Sequence, residues 1–288
     1  MILVTGASGN VGKEVLKQVA QSGVRVRATF QSPSSAASAP SGLEIAIMDY
    51  NKPETIRAAL KGVEQVFLVG PPTQKLPALE RQAVDQIRQS EVRHVVKLSA
   101  MGGREAMYPR LHADSEDYIK KTGVAYTFIR PNGFMQNFVN YNAGTINTQN
   151  AFYGCQGEGK VSHIDIRDIA AVATKVLTEN GHEGKIYTIT GPAALSNTQI
   201  AQILSDDLGR EIRYVDLPPQ QFKQALLGAG LPEWSAEALV NLHDYYRAGK
   251  ASAVTSDVEK LLGRKPTSFE QFSRDYRDAF RREERAAG

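Results

Sequence analysis

Residues 1–12, Met1-Ile2-Leu3-Val4-Thr5-Gly6-Ala7-Ser8-Gly9-Asn10-Val11-Gly12, decide the fold of this chain. The stretch starts with an apolar run that suits a buried parallel strand, and three glycines follow at the spacing G-x-x-G-x-x-G. Apolar residues then recur at helical spacing, at Val11, Val15, Leu16 and Val19. Strand, glycine turn and amphipathic helix, in this order, predict the opening of a dinucleotide-binding βαβ unit.

Each of the three glycines has a physical purpose in such a unit. We expect Gly6 to permit the tight turn, Gly9 to let the backbone approach a pyrophosphate, and Gly12 to let the helix pack closely on the strand. The free N–H groups and the positive end of the helix dipole would then face the phosphates.

Composition and charge exclude several other classes of protein. Of 288 residues, 42% are hydrophobic and 23% charged, which is ordinary for a globular chain. The formal net charge of +3 is small and its basic residues are dispersed, so we expect no nucleic-acid partner. The single cysteine, Cys155, excludes a disulfide framework and fits a reducing compartment. We see no signal peptide and no apolar run of membrane length, so we predict a cytoplasmic protein without membrane contact.

Predicted strands alternate with predicted helices along the chain. The strands are expected at residues 2–4, 24–30, 43–48, 65–69, 92–99, 124–130 and 185–190, with a loop over 32–42. Two shorter strands are expected, one at the start of residues 164–177 and one at 212–215. This alternation predicts an α/β fold, a Rossmann-type doubly wound parallel sheet that binds ligands at the carboxyl ends of its strands. We divide the chain into a cofactor-binding core, 1–150, and a smaller, mostly helical substrate-side region, 151–288, of which 161–190 returns to the sheet. The run 281–285 is expected to end an exposed helix.

The chain resembles the NmrA-like branch of the atypical short-chain dehydrogenases/reductases. The resemblance rests on residues 5–12, Asp49-Tyr50, 67–69, 95–100 (Val-Val-Lys-Leu-Ser-Ala), 112–116, 126–134 and 261–269. That group includes reductases of quinones, triphenylmethane dyes and ergot-alkaloid intermediates, and also regulators that bind the cofactor without turning it over. The resemblance therefore implies a small-molecule electrophilic substrate, and a homodimer or a regulatory protein partner is possible.

The cofactor site follows from the glycine turn, the strand ends and the resemblance. It comprises Gly6, Ser8, Gly9, Asn10, Val11, Gly12, Phe30, Gln31, Ser32, Asp49, Tyr50, Val69, Gly70, Pro71, Leu98, Ser99, Pro131, Asn132, Gly133 and Phe134. In the family, the Asp49-Tyr50 position contacts adenine; the alternative is a turn-initiating Asp beside a packed Tyr.

The end of the second predicted strand decides between the two nicotinamide cofactors. An NAD site usually has a carboxylate there, and Thr29-Phe30-Gln31-Ser32 has none, so we favour NADP and keep NAD as possible. Gln31 replaces the arginine with which the family holds the 2′-phosphate. Ser32, Ser34 or Arg27 could compensate for that loss.

The expected proton-relay triad is incomplete. The resemblance implies a Ser that holds the substrate carbonyl and a Tyr-x-x-x-Lys pair whose Tyr donates a proton. This chain offers Ser99, Tyr108 and His112, with His in place of Lys and an unusually short interval between Ser99 and Tyr108. His112 and Glu116 lie one helical turn apart, so they either form an orienting hydrogen bond or are a surface pair. Quinones, dyes and imines need little acid assistance, so we predict an NAD(P)H-dependent reductase of such acceptors. A non-catalytic NAD(P)-binding redox sensor is the alternative.

Three further patterns predict no additional site. Residues 154–161 match a phosphate-binding P-loop except at Val161, which lacks the hydroxyl for magnesium, and the following segment looks extended. The five histidines show no ligand spacing, so we predict no metal. Four aromatic residues could line a pocket but are more typical of the core of a helical cap: Phe222, Trp234, Tyr245 and Tyr246.

Overall fold

A parallel sheet forms the centre of the molecule. The structure is a computed structural model that describes residues 1–37, 39 and 42–281. The strands of the described chain are β1 Ile2–Val4, β2 Val26–Phe30, β3 Glu44–Ile47, β4 Gln65–Leu68, β5 His94–Leu98, β6 Ala125–Pro131, β7 Ala151–Gly154, β8 Lys185–Ile189 and β9 Arg213–Asp216. Seven of them form one sheet in the order β3-β2-β1-β4-β5-β6-β8 with parallel pairing throughout, as predicted. The order reverses between β1 and β4, where such sheets bind their ligands.

Helices cover both faces of the sheet and build a region beyond it. They are α1 Asn10–Gln21, α2 Pro33–Ala36, α3 Pro53–Ala59, α4 Leu76–Ile87, α5 Met107–Lys121, α6 Ala143–Gln149, α7 Ile166–Thr178, α8 Asn197–Leu208, α9 Pro219–Gly228, α10 Glu233–Arg247, α11 Asp257–Leu262 and α12 Phe269–Asp275. A π-helix spans Phe138–Asn142 and a 3₁₀ helix Arg277–Phe280. No helix in the described part of the chain is long and apolar enough to cross a bilayer.

Two apolar layers hold the helices on the sheet. On one face α1 and α7 pack on β1, β2 and β6, through residues such as Val15, Val19 and Val172, all fully buried. Gln18 of α1 also donates to the carbonyl of Arg167 in α7, at 3.2 Å. On the other face α3, α4 and α5 contribute Ile56, Val84 and Ile119 to a second layer. All of this burial stabilises the sheet by roughly 25 cal/mol for each Å² of apolar surface removed from water.

A third apolar cluster lies in the later part of the chain. It joins the π-helix, β7, α8 and α12 through Phe138, Phe152, Leu204 and Phe269. Here β7 pairs in parallel with β9 in a separate two-stranded sheet. The predicted strand near residues 212–215 is therefore confirmed as β9, while the sequence analysis did not foresee β7.

Several element boundaries differ from the predicted ones. The second strand begins at Val26, two residues later than expected. The predicted loop over 32–42 contains α2, because Ser32 caps it by accepting the N–H of Ser35 at 3.2 Å. The short strand predicted near residue 164 is only an isolated bridge from Ile164 to Phe134. Of the predicted terminal run 281–285, residues 282–285 lie outside the described residues.

Candidate active site

The glycine turn after β1 has the shape of a phosphate cradle. Gly6 has φ +63°, a left-handed conformation that glycine adopts readily. A Cβ at Gly12 would lie 2.1 Å from the carbonyl oxygen of Gly6. Any larger residue at this position would therefore prevent the close approach of the helix to the turn. At Gly9 a Cβ would meet only that same oxygen, at 3.3 Å, and Gly9 caps α1 without any side-chain bond. The N–H groups that begin α1 are thus left for an anionic ligand, and a pyrophosphate fits this cradle.

The ends of β1, β3 and β4 are tied together beside the cradle. The Thr5 hydroxyl accepts the N–H of Val69 at 2.7 Å, and the Tyr50 hydroxyl donates to the carbonyl of Val69 at 2.8 Å. Asp49 accepts the N–H of Asn51 at 2.9 Å and so initiates a turn. The structural interpretation of Asp49-Tyr50, a turn beside a packed ring, therefore describes what both side chains do in the fold.

The end of β2 presents Gln31, which is exposed, and Ser32, whose hydroxyl caps α2. Arg27 points its guanidinium elsewhere: its Nε donates to Glu44 at 2.7 Å, and its Nη1 donates to the carbonyls of Ala59 at 2.6 Å and Lys61 at 2.8 Å. The suggestion that Arg27 compensates for the missing phosphate-binding arginine is therefore wrong, because its guanidinium is held by Glu44 and by the Ala59 and Lys61 carbonyls.

A buried ion pair lies at the carboxyl ends of β4 and β5. Lys97 Nζ is 2.6 Å from Oε2 of Glu80 and 2.8 Å from Oε1, and both side chains are fully buried. Glu80 also accepts the hydroxyl of Ser115 and the N–H of Gly70, at 3.1 Å. A Cβ at Gly70 would lie 2.7 Å from the same carboxylate, so a larger residue there would displace the buried Glu80 side chain. The network joins β4, α4, β5 and α5 and was missed in the sequence analysis; its signal was a lysine within the apolar run of β5.

Ser99, just after β5, belongs to a second polar group. Its hydroxyl donates to Oε1 of Glu116, which also accepts from Nε of Arg130 at 2.8 Å. Ser99 and Glu116 are buried, and the contact with Glu116 raises the pKa of Arg130. Because the only proton of the Ser99 hydroxyl is engaged by a carboxylate, its oxygen is left to accept hydrogen bonds. This differs from the role that the resemblance implies, in which the serine hydroxyl donates a hydrogen bond to the substrate carbonyl.

His112 is brought to Lys97 and not to Glu116. Its Nδ1 lies 3.3 Å from Lys97 Nζ, whereas Glu116 bonds Ser99 and Arg130, so the predicted bond between His112 and Glu116 is wrong. Burial, with the positive charge of Lys97 as a second cause, holds the pKa of His112 well below its ordinary value. Within the described residues Nε2 of His112 makes no hydrogen bond and is not sealed from solvent.

Tyr108, the third predicted catalytic residue, faces the later part of the chain. Its ring meets that of Trp234 edge to face, with centroids 5.3 Å apart, and burial raises its pKa. Trp234 is thereby placed in the contact between α5 and α10. Phe222 and Tyr246 are buried in the cap, Phe222 stacking on His243 at 4.7 Å, as the core interpretation of these aromatics predicts.

The exit from β6 is fixed by Asn132. Its side-chain amide donates to the Ser162 hydroxyl and to the Ala251 carbonyl, both at 2.8 Å, and its oxygen accepts the N–H of Gly133. Phe134 packs against the apolar layer around α1 and α7. The segment 131–134 is thus held in place at the sheet edge by side chains from distant parts of the chain.

The segment 154–161 does not have the structure of a phosphate-binding P-loop. The strand β7 ends at Gly154 and no helix follows within the segment. Among the residues that the structure describes, no group of three or more His, Cys, Asp or Glu side chains is arranged to hold a metal ion.

A family model described as the NmrA-like family matches residues 1–273. The NAD(P)H azoreductase of Xenophilus azovorans is 35% identical over 284 residues, which cover 97% of this chain and 99% of the relative.

Two solved structures are also similar over nearly the whole chain. The triphenylmethane reductase of Citrobacter sp. complexed with NADP(H) has a TM-score of 0.86 and 27% identity, covering 96% of this chain and 99% of that one. An NADPH-dependent quinone oxidoreductase from Escherichia coli complexed with NADPH has a TM-score of 0.87 and 25% identity, covering 96% and 100%.

Proposed function

The chain belongs to the NmrA-like family, and on that premise we propose that it is an NADPH-dependent reductase of electrophilic acceptors such as quinones and dyes. One observation carries the proposal: the Gly6–Gly12 cradle follows β1 and the His112 network lies at the carboxyl ends of β4 and β5, three consecutive strands of one parallel sheet. The names of the azoreductase, the quinone oxidoreductase and the triphenylmethane reductase support this acceptor class.

We assign the cofactor to the loops that follow β1, β2 and β4–β6. Residues 8–11 would hold the pyrophosphate, residues 30–32 the adenosine end, and the nicotinamide would lie near Ser99 and the fixed segment 131–134. When bound, NADPH supplies a hydride. The protein's contribution is to orient the acceptor and to stabilise the charge that develops on it.

Charge balance distinguishes two kinds of acceptor. A cationic dye that receives hydride becomes a neutral molecule and needs no proton. A quinone that receives hydride becomes a hydroquinone anion, whose oxygen is stabilised by a hydrogen-bond donor until water protonates it. The Ser99 hydroxyl donates its hydrogen bond to Glu116, and the ring of Tyr108 faces Trp234. We therefore assign the role of donor to the Nε2–H of His112.

Replacing His112 by alanine should therefore affect the two acceptors differently. We expect kcat/KM for a quinone to fall roughly 30-fold, because one donor at a partly solvated site contributes less than those of a closed oxyanion hole. Turnover of a cationic triphenylmethane dye should stay within about threefold of wild type. His112→Gln, which keeps an N–H donor, is the control and should recover part of the quinone activity. Equal losses on both acceptors would contradict the assignment, and tight NADPH binding without any turnover would indicate the redox sensor.

Gln31 offers a test of the cofactor preference. Gln31→Arg should tighten NADPH binding by about tenfold and leave NADH binding unchanged, because a guanidinium forms charge-assisted bonds only with the 2′-phosphate. Gln31→Glu is the matched opposite and should weaken NADPH binding while sparing NADH. The dissociation constants can be measured by the change in reduced-nicotinamide fluorescence. Parallel effects on the two cofactors would show that residue 31 does not face the 2′ position.

The location and the partners stay predictions. A single free cysteine, the buried Cys155, favours a reducing compartment such as the cytoplasm. A homodimer and a regulatory protein partner are the two kinds of assembly that the resemblance allows.

A further inference from the structure

Lys97 makes three contacts that match the three protons of its ammonium group. Its Nζ is 2.6 Å from the Glu80 carboxylate, 3.2 Å from the carbonyl oxygen of Leu98 and 3.3 Å from Nδ1 of His112. An ammonium group donates hydrogen bonds and accepts none. Nδ1 of His112 must therefore be the acceptor, which leaves the proton of a neutral imidazole on Nε2.

The pair is enclosed by hydrogen-bond partners. The Glu80 carboxylate accepts hydrogen bonds from Lys97, from the Gly70 N–H and from the Ser115 hydroxyl. Both side chains of the pair are fully buried. Lys97 cannot reach an acceptor molecule itself, because no part of its side chain is exposed.

We propose that Lys97 is a positioning residue for the reduction assigned above, and that it holds His112 neutral with the proton on Nε2, the nitrogen that solvent reaches. The inference rests on the proposed function and adds the device that prepares its hydrogen-bond donor. It also accounts for the departure from Tyr-x-x-x-Lys spacing: His112 occupies the lysine position of α5, and the ammonium group comes from β5.

The surroundings of His112 support a fixed tautomer. A second proton on Nδ1 would displace the N–H bond of Lys97 and place two positive charges 3.3 Å apart. The other charged groups of the two networks are Glu80 on α4, Glu116 on α5 and Arg130 on β6. Glu80 forms its ion pair with Lys97, and Glu116 forms one with Arg130. The lowered pKa of His112 agrees with this arrangement.

The test reads the tautomer directly by long-range ¹H–¹⁵N NMR of uniformly labelled protein. Signals of the five histidines are assigned by comparison with His112→Gln. In wild type we expect a protonated Nε2 and an unprotonated Nδ1 for His112. The double variant Lys97→Met/Glu80→Gln removes the ammonium group and its counter-charge together, while the new side-chain amide can still accept the N–H of Gly70 and bond the hydroxyl of Ser115.

In the double variant we expect both tautomers of His112 and a pKa closer to the ordinary value. Its kcat for a quinone should fall about tenfold with KM within about threefold, because the donor is present only part of the time. Lys121→Met removes an exposed positive charge at the end of the same helix, and it should leave tautomer and kcat unchanged.

Two results would overturn the inference: a proton on Nδ1 of His112 in wild type, or a tautomer that is unchanged in the double variant. Neither depends on turnover. Failure of the proposed function has a different signature, namely a wild-type protein that binds NADPH tightly but reduces neither quinones nor dyes.

Discussion

Lys97→Met alone should destabilise the protein by about 3–5 kcal/mol, the usual effect of removing one partner from a buried ion pair. The change leaves the Glu80 carboxylate fully buried with only Gly70 and Ser115 as donors. Urea unfolding followed by circular dichroism would measure the loss as a lower midpoint. Glu80→Gln alone should also destabilise, since it leaves a buried ammonium group without its counter-charge.

The double variant Lys97→Met/Glu80→Gln is the control for that experiment. Neutral side chains of similar volume often replace a buried pair at little cost, so most of the lost stability should return. The two single effects would then be strongly non-additive, with the double variant clearly more stable than Lys97→Met alone. Additive effects would mean that the pair contributes no mutual stabilisation and that each residue acts only through packing.

Gly9→Ala should separate cofactor binding from folding. Gly9 has φ −82°, which alanine adopts without strain, and its Cβ would meet only the Gly6 oxygen at 3.3 Å. The methyl group would stand where the pyrophosphate approaches the backbone, so we expect NADPH affinity to fall roughly 100-fold, or about 2.7 kcal/mol. Isothermal titration calorimetry would measure that change, and the thermal midpoint should hardly move.

Gly12→Ala is the matched contrast within the same turn. Its Cβ would lie 2.1 Å from the Gly6 oxygen, so α1 or the turn must shift, and stability should fall by about 1–3 kcal/mol. NADPH binding that survives Gly9→Ala unchanged would show that the cradle does not hold the phosphates.

The sheet and its glycine turn could be predicted because their signals are local. A buried strand followed by glycines and a helical stripe constrains the backbone within twelve residues, and the positive φ of Gly6 and the close approach at Gly12 fulfil that expectation. The strand β7 escaped prediction because four residues carry little periodicity. Its partner β9 lies some sixty residues later, and their pairing is a tertiary choice.

The polar networks depend on partners that no local pattern reveals. The spacing of His112 and Glu116 places them on one helix face, but strands β5 and β6 offer each a stronger partner, Lys97 and Arg130. A lysine inside a strand covered on both faces signals a buried pair. Which carboxylate completes the pair follows only from how α4 packs on the sheet, because Glu80 lies seventeen residues away.

The packing of α1 against α7 has a consequence for how the chain acquires its structure. The first helix ends at Gln21, and the helix that covers it spans Ile166–Thr178, so the ribosome makes the partner long after the glycine turn. The last strand of the sheet, β8, follows later still. Such pairings across the length of the chain raise the contact order and slow folding. The apolar face of α1 in the nascent chain therefore stays exposed until α7 has been synthesised. During that interval the exposed face is available for binding by a chaperone.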